Sequence, residues 1–152
     1  MDVRVVNPFI EAVAEVMPQI GFQSVVKGGI DIKSSNISSL GVMTLIGVAG
    51  TVKGNVIYNM GLEDAKRIAS TMMMGMPVTE FDDMAQSAIS EMANMLCANA
   101  SIKLSNLGIN TDISTPTLMF GNDVSLKVSV NKVLSVKMVL DGIPLSVDVA
   151  IE

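Results

Sequence analysis

Residues 125–151, SLKVSVNKVLSVKMVLDGIPLSVDVAI, alternate apolar and polar side chains almost without a break. Leu126, Val128 and Val130 point one way and Ser125, Lys127 and Ser129 the other, which is the two-residue period of a strand with one buried face. The pattern returns through Leu134, Val136, Met138 and Leu140, and again through Leu145, Val147, Val149 and Ile151. Between these two runs stands Asp141-Gly142, a pair that tolerates the positive φ angles of a two-residue hairpin turn. The C-terminal third is therefore predicted to be antiparallel sheet.

Upstream the period changes. Over residues 80–107, Phe81, Ala85, Ala88, Ile89, Met92, Leu96, Ala100 and Leu107 gather on one side when wound at about 100° per residue, so this segment is predicted to be a long helix that Gly108 stops. Gly61 and Gly75 bracket a shorter helix over 62–74, with Leu62, Ala65, Ile68, Ala69 and Met72 at core spacing; Met72 to Met74 read as flexible core filler, the alternative being a promiscuous binding surface. Residues 23–27, 30–34, 42–48 and 51–59 favour strands, and Gly28-Gly29, Gly41 and Gly50 punctuate them into hairpins. A first helix is expected from Asn7-Pro8 through Ile10, Val13, Ala14 and Met17, ended by Pro18 and Gly21. Helix, strands, two helices, strands: the expected class is α+β, an antiparallel β-sheet with helices packed on one face, and residues 1–152 read as a single domain.

Composition removes several function classes. The chain has 10 basic and 15 acidic residues, a net charge of −5 with no basic run, so nucleic acid is not an expected partner. Mean hydropathy is +0.51, yet no stretch approaches the roughly 20 apolar residues of a membrane span. The N-terminal MDVRVVNPF lacks a signal-peptide core, and a cytoplasmic protein is expected. Cys97 is the single cysteine and falls inside a helical pattern, where it reads as a small buried hydrophobe. Histidine and tryptophan are absent, which excludes Ser-His-Asp triads, histidine general bases and most zinc sites. No metal-ligand set is legible. Any chemistry must use carboxylates, amides, hydroxyls, lysines or arginines.

Opposite the apolar face of the long helix runs a second row, Ser87, Glu91, Asn94, Ala98, Ser101 and Ser105, spaced four, three, four, three and four. Such residues stack along one side of a helix. The row is short-chained except at its centre. Small neighbours let another macromolecule approach while Glu91 and Asn94 project toward it; by spacing alone the pair also fits an ordinary solvated surface.

The whole segment resembles the CheC/CheX family of chemotaxis phosphatases. Their signature is Asp or Ser, three residues, Glu, two residues, Asn, then a proline about twenty-two positions later; here it reads Ser87-A-I-S-Glu91-M-A-Asn94, with Pro116 in STPTLMFG. Residues 46–60, IGVAGTVKGNVIYNM, are similar to the family's strand-turn-strand segment, and residues 70–77, STMMMGMP, to the end of its preceding helix. A single Glu-x-x-Asn set makes the chain most similar to CheX, because CheC-type members carry two.

The resemblance implies an activity: hydrolysis of the aspartyl phosphate on a phosphorylated response-regulator receiver domain of the CheY kind. It implies Asn94 as the residue that positions the attacking water, and Glu91 as an anchor to a lysine of the receiver with a share in catalysis. Ser87 and Ala98 would touch the partner, and Pro116 would shape the loop after the helix. No cofactor of the chain's own is implied, Mg²⁺ being expected in the receiver, and CheX relatives imply a homodimer. Two other readings use the same residues: a non-catalytic module docking on a receiver or flagellar-switch component, and a dimerisation domain in which the polar row is incidental.

Overall fold

The computed structural model describes residues 2–152. Asp141 and Gly142, at φ 49° and 82°, make the turn that joins β8 (Val133–Leu140) to β9 (Ile143–Ile151), and Leu140 pairs directly with Ile143. From this hairpin the sheet grows both ways. β1 (Val25–Lys33) flanks β8, while β4 (Gly54–Gly61), β3 (Gly41–Gly50) and β5 (Thr111–Ile113) follow β9 in that order, and β6 (Thr117–Phe120) also pairs with β3. The pairings are antiparallel. β2 (Asn36–Ser38) and β7 (Ser125–Lys127) form a separate two-stranded ribbon.

Strand alternation sorts side chains to two cores. On one face Val42, Ile46, Val56, Tyr58, Val136, Leu145 and Val147 meet Phe9 and Val13 of α1 (Val3–Gln19), Ile68 of α2 (Leu62–Met72), and Ile89, Met92 and Leu96 of α3 (Asp83–Asn106). On the other face Met43, Ile57, Val133 and Ala150 are capped by Ile37, Val128 and Val130. The helices thus occupy one face as expected. Burying each large aliphatic or aromatic side chain contributes roughly 1.5–3 kcal/mol, which fixes the register of the strands with a buried face, β3, β4, β8 and β9.

Several expected boundaries move. Gly28-Gly29 does not turn the chain: β1 runs through it, and the register slips by one residue between Lys27 and Ile30 as both halves pair with β8. A Cβ on Gly28 would lie 3.1 Å from the Lys137 carbonyl oxygen, so the glycine serves the close approach of a bulge. The 51–59 strand begins only at Gly54, after a turn, and β7 stops at Lys127, so Val128 and Val130 reach the second core from a loop.

α1 starts four residues before Asn7. Asp2 caps it, its carboxylate accepting the Arg4 N–H at 2.9 Å, and Pro8 sits inside the helix. The bond Pro8 cannot donate would go to the carbonyl of Arg4, an exposed residue open to solvent, while burial of Val5, Val6 and Phe9 holds the first turns. α2 ends at Met72, not Met74; Met72 and Met73 pack against the core and Met74 turns out to solvent at φ 61°. α3 begins after its cap Asp82, leaving Phe81 before the helix, and Leu62 and Leu107, expected in the core, are exposed at helix ends. Its buried side is broader than one stripe, because Ala93 and Cys97 are buried beside Met92 and Leu96. α3 packs against both α1 and α2 as well as the sheet.

Candidate functional site

The first turn of α3 is locked in place by local chemistry. The Asp82 carboxylate accepts the Ala85 N–H at 3.0 Å, satisfying one of the amides a helix start leaves free. The Gln86 amide donates to the Phe81 carbonyl at 2.9 Å, and the Phe81 ring meets Phe120 of β6 edge-on with centroids 5.4 Å apart. Helix and edge strand are thereby held side by side. Between them opens a cleft of about 590 Å³.

Ser87, Ser90, Glu91 and Asn94 line its helix wall; Thr115, Pro116 and Leu118 line the opposite one. Glu91 is exposed and Asn94 half-buried. Neither side chain takes part in the hydrogen bonds or ion pairs formed among the described residues, so both keep their full bonding capacity for a visitor. Asp83 and Glu91 are charged residues of the lining, which among the described residues includes no lysine or arginine.

The expected row thus divides. Ser87, Glu91 and Asn94 share one cleft with Pro116, twenty-two positions away in sequence. Ala98 is exposed but lies outside the lining. Ser101 does not face solvent freely: its hydroxyl is 2.9 Å from the Thr111 hydroxyl, tying α3 to β5. Ser90 was legible in principle, four positions before Asn94 on the same helix. Leu118 was not, since the pairing of β6 with β3 carries it to the cleft, nor was Thr115 in the loop leading into β6.

Cys97 is buried, with its Sγ 3.4 Å from the Tyr58 hydroxyl. Burial pushes its thiol up to about 12, against the smaller opposing effect of the Tyr58 hydrogen bond. It is core, not a nucleophile. Among the described residues no group of three or more acidic or cysteine side chains is placed to hold a metal ion, and no helix is long and apolar enough to cross a membrane.

The profile of the family described as chemotaxis phosphatase CheX matches residues 42–138. The CheY-P phosphatase CheX of Thermotoga maritima is 36% identical over 132 residues, covering 84% of this chain and 82% of the relative. A CheC-like superfamily protein from Shewanella sp. PV-4 superposes with a TM-score of 0.88 at 21% identity, covering 100% of this chain and 99% of that one. The Borrelia burgdorferi CheX–CheY–BeF3–Mg²⁺ complex gives a TM-score of 0.78 at 26% identity, with 97% of each chain covered.

The antiparallel sheet with its three helices on one face is a CheC/CheX-like fold. Within that class, the sequence matches leave one assignment: the chain belongs to the chemotaxis phosphatase CheX family.

Proposed function

We propose that this protein hydrolyses the aspartyl phosphate of a phosphorylated CheY-like receiver domain in chemotaxis signalling, acting as one domain over residues 1–152 in the cytoplasm. The observation that carries the proposal is the pair of unengaged polar groups, Glu91 and Asn94, one turn apart in an open cleft whose lining has no histidine or lysine. An acyl phosphate has a stable carboxylate as its leaving group, so no general acid is required. What the reaction lacks is a water held in line with the P–O bond that breaks.

Asn94 meets that need. Its amide oxygen accepts a hydrogen bond from the water and its nitrogen donates to a phosphoryl oxygen, without bringing negative charge to an anion. A glutamine does the same for water in small GTPases. Glu91 reaches a lysine of the receiver and holds the partner in register, and Ser87 and Ala98 complete the contact with short side chains that permit close approach. The divalent cation, Mg²⁺, belongs to the receiver; a relative solved with CheY, BeF3 and Mg²⁺ supports that division of labour.

The homodimer fits the edge strand β1. Its nine residues lie at the end of the sheet with Val26, Ile30 and Ile32 exposed, a backbone edge suited to pairing with a second copy. Sedimentation of the wild-type chain and of Ile32→Lys tests this: a dimer that weakens in the variant supports it, and a wild-type monomer contradicts it. The phosphatase reading is tested by adding the protein to a phosphorylated CheY-like receiver and following phosphate release. Accelerated release supports it, and unchanged phosphate lifetime contradicts it.

A further inference from the structure

The row that contains Ser87, Glu91 and Asn94 continues three positions earlier to Met84. Met84 lies seven positions before Glu91, two turns or about 10 Å along the axis. Where the rest of the row is short or polar, Met84 is large, apolar and 62% exposed. A single exposed apolar side chain needs no explanation, but this one is not alone. Met76, 56% exposed, lines a hollow of about 160 Å³ together with Met84. Phe120, packed edge-on against Phe81 at the same end of α3, is also half-exposed.

The charges around this apolar point have one sign. Glu80 and Asp82 line the hollow with Met84, Asp83 lines the cleft beside it, and all three are exposed. Among the described residues no lysine or arginine lines either depression. Methionine adapts its three rotatable bonds and polarisable sulfur to irregular surfaces, and a rim of one charge steers a partner of the other. Asp82 of the hollow and Asp83 of the cleft are consecutive, so the two depressions adjoin, and a partner as large as a receiver domain seated over Asn94 extends toward Met84.

We propose that Met84 and Met76, ringed by Glu80, Asp82 and Asp83, form a docking point for the receiver domain. It takes a patch in which an apolar side chain stands beside a lysine or arginine, roughly 15 Å along the helix from the phosphoryl group that Asn94 addresses, since Met84 lies ten positions before Asn94. This rests on the phosphatase reading of the cleft.

The test uses a CheY-like receiver loaded with Mg²⁺ and beryllofluoride for binding, and the phosphorylated receiver for turnover. Met84→Lys is expected to weaken binding and raise KM at least tenfold with kcat within twofold, and Met84→Leu to keep both near wild type. Wild-type binding is expected to weaken as salt rises, since the rim is exposed. Unchanged affinity and KM in Met84→Lys, with wild-type phosphatase activity present, overturns the docking point and leaves the phosphatase reading intact. A wild-type protein that neither binds nor dephosphorylates the receiver overturns both. Loss of the dimer in Met84→Lys with receiver affinity retained assigns the patch to a second copy of this chain and overturns the proposal.

Discussion

Asn94 follows Glu91 by one turn on α3 and lies deeper in the same cleft, half-buried where Glu91 is exposed. On the proposed reading this depth separates their roles: the exposed carboxylate meets the partner, and the recessed amide faces what the partner carries inward.

Removing the anchor should therefore weaken the encounter. Glu91→Ala is expected to lower affinity for an Mg²⁺–beryllofluoride-loaded receiver by about tenfold, equivalent to ~1.4 kcal/mol. Titration calorimetry on the two proteins measures this directly, and affinity within twofold of wild type would remove Glu91 from the interface.

The cap of α3 positions the whole helix wall. Asp82→Ala loses the hydrogen bond to the Ala85 amide and should cost ~1 kcal/mol of unfolding free energy. Urea unfolding of the two proteins checks it. An unchanged midpoint would show that the packing of Phe81 on Phe120 holds the turn without the cap.

Cys97 should be chemically silent. With its thiol pushed up to about 12, the reactive thiolate is scarce at pH 8, and iodoacetamide should modify the protein only after unfolding. Cys97→Ala should leave turnover within about twofold, because a small hydrophobe replaces a small hydrophobe. Rapid labelling of the folded protein would contradict the buried site.

Asp148 is a liability on the sheet's other face. Its carboxylate is buried, Oδ2 has no hydrogen-bond partner among the described residues, and burial raises its pKa against the opposing effects of Ser135, Lys33 and Ser146. A raised folded-state pKa means that the native chain binds the proton more tightly, so this group's contribution to stability falls as pH rises above the ordinary carboxylate value. Asp148→Asn should be more stable than wild type at pH 7, on the order of 1 kcal/mol, with the advantage shrinking toward pH 3. Thermal unfolding of both proteins across that range decides it; an advantage that grows on acidification contradicts the sign.

Much of this fold is written locally. Asp141-Gly142 specified its hairpin because positive φ at both positions suits few other pairs, and the 3.6-residue period of α3 exposed the row that holds Ser87, Glu91 and Asn94. Where local signals failed, long-range packing had overruled them. Gly28-Gly29 has the look of a turn, but β8 holds both flanks and makes it a bulge. Pro8 has the look of a helix start, but the buried side chains around it carry the helix back to Val3. The cleft shows the same limit. Its helix wall follows from spacing, whereas the place of Pro116 across from Asn94 depends on the β6–β3 register and was anticipated only through the family resemblance.

The decisive measurement is the phosphate lifetime of a CheY-like receiver with wild-type protein, Asn94→Ala and Asn94→Asp, each variant first shown to melt like the parent. Both variants should lose acceleration by ~100-fold or more, about 2.7 kcal/mol of barrier, while still binding the beryllofluoride-loaded receiver. Wild-type turnover in Asn94→Ala would contradict the assignment of the water-positioning role to Asn94.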